Sequence, residues 1–89
     1  MSKEEAIAKA RKDAAQRLGI DENSITEKSV ENTEFPDTAL GAGTDGEMSG
    51  MMMTNGWRIK LEGNGETLEY RADKHQLRLF GYKGKNYKL

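Results

Sequence analysis

The stretch WRIKLEGNGETLEYRA, residues 57–72, decides the fold. Trp57, Ile59 and Leu61 alternate with Arg58, Lys60 and Glu62, and in an extended chain successive side chains point to opposite faces. One face of this strand is therefore apolar and the other charged. Asn64-Gly65 follows, the dipeptide that best tolerates the positive φ angles required at both central positions of a type I′ hairpin turn. With those two residues at the tip, Gly63 faces Glu66, Leu61 faces Leu68, Ile59 faces Tyr70 and Trp57 faces Ala72. Each apolar residue meets an apolar partner, and a slip of one residue would turn the whole set towards water. On the charged face Lys60 meets Glu69, an attractive pair, whereas Arg58 meets Arg71 and must splay outward or find a carboxylate.

Working outward, a turn over residues 73–76 sets Ala72 against Leu77, and Leu77, Leu79 and Gly81 continue the inward parity. Three antiparallel strands with one dry face result. Upstream, Ser2 followed by Glu5 is a capping box, in which each side chain satisfies a free backbone N–H at a helix start. The helix should run from about Lys3 to Leu18, with Ala6, Ile7, Ala10, Ala14 and Leu18 on one stripe and Lys9, Lys12, Asp13 and Gln16 away from it. Small side chains permit close approach, so the helix should lie flat on the dry face. Gly19 stands where a left-handed C′ residue is wanted, with Ile20 as the apolar contact of a Schellman ending.

Residues 21–24 read as a polar turn and residues 25–35 as a further strand. Ile25 shares parity with Phe35 but not with Val30, and a bulge, which inserts one extra residue, would reconcile them. Pro36 lacks an N–H donor and ends that strand or confines it to an edge. The predicted fold is α+β, with one N-terminal helix packed on an antiparallel sheet of about four strands, in a single domain over residues 1–89.

Composition narrows the function classes. The chain has 89 residues, a formal charge of −1 and one Trp, two Phe and three Tyr, which allows one modest core. Acidic residues gather before Gly56 and basic ones after it, an asymmetry that fits one basic sheet face. Cysteine is absent, so disulfides and thiolate metal sites are excluded. No apolar run approaches the ~20 residues of a membrane span and the start lacks a signal peptide's features, so a soluble, cytoplasmic protein is expected.

Between Pro36 and Gly56 lies a stretch that regular structure does not explain. It carries Gly41, Gly43, Gly46 and Gly50 together with Met48 and the run Met51, Met52, Met53. Loops longer than about 12–15 residues are usually functional or disordered. Residues 51–54 are a candidate start of the Trp57 strand, which would shorten it. The methionines admit three readings. They can pack beneath the loop as adaptable filler, which the residues by themselves favour. They can form an exposed partner surface, because flexible thioethers accept varied ligands. They can hold Cu(I) as soft ligands.

Over residues 35–70 the chain resembles a functionally uncharacterised prokaryotic family of small domains. Its pattern is Trp-Pro-Asp-x-x-Leu-Gly-Cys-Pro, a Gly-rich turn, Gly-Tyr-x-Ile-x-Leu, and a Gly-containing hairpin ending in Tyr-x-Tyr. The matching residues are Phe35, Pro36, Asp37, Leu40, Gly41, Gly46, Gly56, Trp57, Ile59, Leu61, Gly65 and Tyr70, without gaps. Ala42 and Gly43 replace the Cys-Pro, Asp45 replaces a second proline, and Ser49 and Met51 replace a tyrosine and a glutamine. Whatever that family does with its cysteine, this chain does not do. The helix followed by a curled sheet is also similar to PepSY domains and, more loosely, to cystatins. That resemblance implies a partner-binding domain that restrains proteases.

Other chemistry carries less. His75, the one histidine, lies in a turn without a cysteine or a serine elbow to serve. Glu4, Glu5, Glu22, Glu31 and Glu34 fall on solvated faces. Gly63-x-Gly65 and the loop glycines do not stand between a strand and a following helix, so no phosphate-binding fingerprint is present. Lys83, Lys85 and Lys88 beside Tyr82 and Tyr87 read as a frayed or edge-strand terminus in preference to an RNA contact. The expectation is a non-enzymatic protein- or peptide-binding module, with no cofactor, nucleic acid or membrane partner. Its partner-binding residues are Leu40, Gly41, Gly43, Met48, Met51, Met52 and Met53. A self-associating structural protein, a homodimer through an open sheet edge among its forms, and a methionine-based Cu(I) carrier are the alternatives.

Overall fold

A computed structural model describes residues 1–89. Helix α1 spans Lys3–Leu18, and after a 3-10 turn at Glu22–Ser24 come β1 (Thr26–Phe35), β2 (Thr54–Gly63), β3 (Glu66–Ala72), β4 (Leu77–Tyr82) and β5 (Lys85–Lys88). The strands form one antiparallel meander in the order β1-β2-β3-β4-β5. The fifth strand exceeds the expected four, because the lysine-rich end pairs with β4 as an edge strand.

The hairpin has the predicted register, with Leu61 opposite Leu68, Ile59 opposite Tyr70, Trp57 opposite Ala72 and Arg58 opposite Arg71. Ala72 lies opposite Leu77 as expected. Gly81 departs from the inward parity. The β4–β5 register breaks between Leu79 and Tyr82, and Gly81 is exposed with φ +64°.

The helix is built as its sequence dictates. Ser2 Oγ accepts from the Glu5 N–H at 3.1 Å, and Glu5 Oε1 accepts from the Ser2 N–H at 2.8 Å. Gly19 takes φ +66°, and the Ile20 N–H reaches the Ala15 carbonyl at 3.0 Å, the six-to-one bond of a Schellman ending. Ala6, Ala10, Ala14 and Ala15 are buried against Ile59, Leu61, Leu68, Tyr70, Ala72, Leu77 and Leu79. Trp57 packs against this core but is only half-buried. Gly63 gives room to the helix end: a Cβ there would lie 2.7 Å from Ile20 Cδ1 and 2.8 Å from Ile25 Cδ1, and those side-chain ends would have to shift.

A polar link crosses the middle of the dry face. Tyr70 Oη donates to Asp13 Oδ2 at 2.6 Å, and Arg17 Nε donates to the same oxygen at 2.7 Å while its guanidinium lies 4.4 Å from the Tyr87 ring centroid. Burial, with the bond to Asp13, pushes the Tyr70 hydroxyl well above its ordinary pKa. Asp13, read from sequence as lying away from the packed stripe, thus ties the helix to β3.

The β1 bulge lies between Glu27 and Ser29. It lets Ile25 and Val30 both face the helix, and Phe35 consequently points to the opposite face of the sheet.

Candidate functional site

The second face of the sheet starts from like charges. Arg58, Arg71 and Arg78 lie in cross-strand register on β2, β3 and β4. Such a row repels itself unless acceptors are brought to it. Glu69 supplies one, with its Oε2 at 2.9 Å from Arg71 Nε and 3.3 Å from Arg58 Nε. It turns to the arginines and makes no ion pair with Lys60, its predicted partner. The Arg58 contact is misaligned, and its buried Nε has no hydrogen-bond acceptor.

Gln76 Oε1 accepts from Arg78 Nε at 2.7 Å, and the segment between β1 and β2 supplies further acceptors by folding back across this face. Arg71 Nη1 donates to the Leu40 carbonyl at 3.0 Å, and Arg78 Nη1 to the Ala42 carbonyl at 3.2 Å. Arg78, 3% exposed, also forms a two-pronged bond to Glu47, with Nη1–Oε1 and Nη2–Oε2 both at 2.6 Å. Planar fork-to-fork pairs of this kind are among the strongest charge-assisted hydrogen bonds. The Arg78 guanidinium, with help from the Thr44 N–H, holds the Glu47 carboxyl down to about 2. Gln76 Nε2 donates to the Thr38 carbonyl at 2.7 Å, and Asn86 Nδ2 to the Gly43 carbonyl at 2.8 Å.

Phe35, Ala39, Leu40 and Ala42 form a small apolar layer here, each at most 1% exposed and apart from the helix-side core. The Arg71 guanidinium lies 3.6 Å from the Phe80 ring centroid and 5.5 Å from that of Phe35. Cations over aromatic faces gain from the ring quadrupole.

The Pro36-Asp37-x-x-Leu40-Gly41 run has a local explanation. Asp37 Oδ1 accepts from the N–H groups of Ala39 at 2.9 Å and Gly41 at 3.0 Å, which closes an Asx-type turn. The turn puts Leu40 at φ +59° and Gly41 at φ +66°. Left-handed leucine is costly, and full burial of its side chain offsets the strain. A Cβ on Gly41 would stand 2.7 Å from Arg71 Nη1, so the guanidinium needs glycine there.

The loop closes on itself where the Thr38 N–H donates to the Gly50 carbonyl at 3.0 Å and the Gly50 N–H to Thr38 Oγ1 at 2.7 Å. Around that neck the methionines stand in water: Met48 is 97%, Met51 92%, Met52 68% and Met53 61% exposed. Packing beneath the loop, the reading the residues alone favour, is therefore corrected. Ala39, Leu40 and Ala42 fill that space. Of the expected binding residues, Leu40 is buried and Gly41 serves the turn, so neither side presents a surface. Gly43 is exposed and lends its carbonyl to Asn86, and the methionines alone form the projecting apolar group. Arg71, Arg78 and Glu47, which hold the loop, were not among the expected residues. The unsatisfied Arg58–Arg71 register was the available signal.

The chain belongs to the family described as Domain of unknown function (DUF8738), whose model matches residues 7–80. That span takes in most of the helix, the first three strands, the loop and most of β4. Neither the curated proteins nor the solved structures gave a match. No helix is long and apolar enough to cross a membrane.

Proposed function

We propose that this protein is a non-enzymatic module that binds a protein or peptide through the methionines of its β1–β2 loop. One observation carries the reading: Met48, Met51, Met52 and Met53 are exposed together on a loop whose inner turn is fastened to the sheet. Clustered apolar exposure marks interaction surfaces, and thioethers adapt to varied partners. A fastened base also lowers the ordering cost of binding. The finer reading is a PepSY-like or cystatin-like domain that modulates a protease. It is supported by the helix laid on an antiparallel meander and by the exposed methionines of the β1–β2 loop.

The test is selection of phage-displayed random peptides on the intact protein and on a variant with Met48, Met51, Met52 and Met53 all changed to Ser. Peptides that bind the intact protein and not the variant are expected, and equal recovery on both would overturn the reading. The protease proposal predicts slower substrate hydrolysis by papain in the presence of the protein but not of the serine variant. A second copy is the rival occupant of the methionine surface. Sedimentation showing a dimer that the serine variant abolishes would favour it.

A further inference from the structure

We propose that the end of the β1–β2 ladder left uncovered by the helix is a binding site for a neutral sugar ring. This inference goes beyond the methionine reading and does not depend on it. Helix α1 lies over β2 and β3, and its start is tied to the β3–β4 turn by the Met1 ammonium donating to the Lys74 carbonyl at 2.9 Å. The far end of β1 therefore has no layer above it. A shallow, open depression lies there, lined by Asn32, Thr33, Glu34, Asn55, Gly56 and Trp57.

The register fixes its shape. Asn32 is opposite Trp57 and Glu34 is opposite Asn55, two positions further along. All four continue the parity of Val30 and Ile59, whose side chains pack towards the helix. Directly opposed side chains in an antiparallel pair start roughly 5 Å apart, and same-face neighbours along a strand roughly 7 Å apart. The four side chains thus stand at the corners of a small quadrilateral, comparable in size to a hexose ring. Both strands are regular here, so the corners are held by backbone pairing and not by a loop.

The chemistry of the lining selects among ligands. Trp57 offers a half-buried indole, whose electron-rich face suits the C–H groups on one side of a pyranose. Asn32 and Asn55 each present a donor and an acceptor, and Glu34 is acceptor-only when ionised, the set that paired hydroxyls require. These polar groups are free: of residues 32–34 and 54–57, only Thr33 and Thr54 bond through their side chains, each to a nearby carbonyl. No lysine or arginine lines the depression, so an anionic ligand would meet only the Glu34 carboxylate. With Trp57 the sole apolar lining residue, an alkyl chain would leave polar groups unsatisfied.

Trp57 is the one tryptophan, so indole fluorescence and the indole N–H signal come from the wall of this depression, and the two asparagine amides separate a ligand there from a change in the core. The experiment titrates the intact protein with methyl glucoside, methyl galactoside, methyl mannoside, cellotriose, chitotriose and, as an anionic competitor, glucose 6-phosphate. It follows the Trp57 indole together with the Asn32 and Asn55 side-chain amide signals. The expected result is a saturable change at all three residues with at least one sugar. Exposed Asn55→Ala, which leaves the packing untouched, should weaken that sugar roughly tenfold, the scale of one good hydrogen bond. Silence at Trp57 with every sugar up to tens of millimolar would overturn the proposal. Unchanged affinity in both Asn32→Ala and Asn55→Ala would do the same, as would a preference for glucose 6-phosphate over the neutral sugars.

Discussion

The two faces of the sheet are covered by different physics. On one, an alanine-striped helix lies on Ile59, Leu61, Leu68, Tyr70 and Leu79, and the contact is mainly apolar, with the Tyr70–Asp13–Arg17 link and the Arg11–Glu27 pair as its polar additions. On the other, a loop is held by guanidinium groups that reach its backbone carbonyls and one carboxylate, around the small Phe35–Leu40 layer. Apolar burial is non-directional and scales with area, so a helix face of about the right size suffices. Guanidinium-to-carbonyl bonds are directional, so the second cover depends on particular residues in particular turns. The first face should set global stability, and the second should set the order of the loop.

The largest effect expected is on the helix side. Leu61→Ala removes a fully buried side chain and should lower global stability by about 2–5 kcal/mol, read from denaturant unfolding. Loss of the helix and the loop signals should coincide, since the sheet carries both.

Arg71→Met tests the second face. It keeps an unbranched apolar stem over Phe80 but removes the bonds to the Leu40 carbonyl and Glu69. A hydrogen bond to a charged group contributes about 1.5–3 kcal/mol, and here the loss should fall on the loop. Amide exchange should quicken over residues 38–47 while α1 stays protected. Equal loss in the helix would mean that the two faces are not separable.

Acid should sharpen the contrast further. The Glu47 carboxyl is depressed from 4.5 to about 2 by Arg78 and the Thr44 N–H, so it binds protons more weakly folded than unfolded. Its contribution is therefore complete above pH 4.5 and is lost as pH falls towards 2. Loop amides should exchange faster across that window after correction for intrinsic rates, and Glu47→Gln should abolish the dependence.

The smallest effect on stability is expected at the methionines. Changing Met48, Met51, Met52 and Met53 to Ser should shift the unfolding free energy by no more than about 0.5 kcal/mol per site, because exposed side chains lose little on replacement. Any greater loss would mean that these side chains pack.

The difference between the faces also explains what could be read from the chain. Trp57, Ile59 and Leu61 announce their strand by period-two alternation, Asn64-Gly65 announces its turn, and Ser2, Glu5 and Gly19 bound the helix. Each signal is local. The bulge after Glu27 was foreseeable from the clash of parity between Ile25 and Val30, but its consequence, Phe35 on the far face, depends on how many residues follow it. The loop's fastening was not legible, because arginines binding carbonyls 31 and 36 residues away leave no periodic trace. Methionine suits an irregular core as well as a surface, so only the presence of Ala39, Leu40 and Ala42 beneath the loop settles its placement.

Residue-resolved hydrogen exchange of the isolated protein at neutral pH tests most directly whether the second face fastens the loop and leaves the methionines outside. The N–H groups of Gly41, Ala42 and Glu47, which donate to Asp37, Ala39 and Thr44, should be protected. Those of Met48, Met51 and Met52 should exchange at the rate of a free chain. Uniform fast exchange from residue 38 to residue 53 would contradict the fastening, and protection of the Met48, Met51 and Met52 amides would mean that their backbone is hydrogen-bonded and the segment not open.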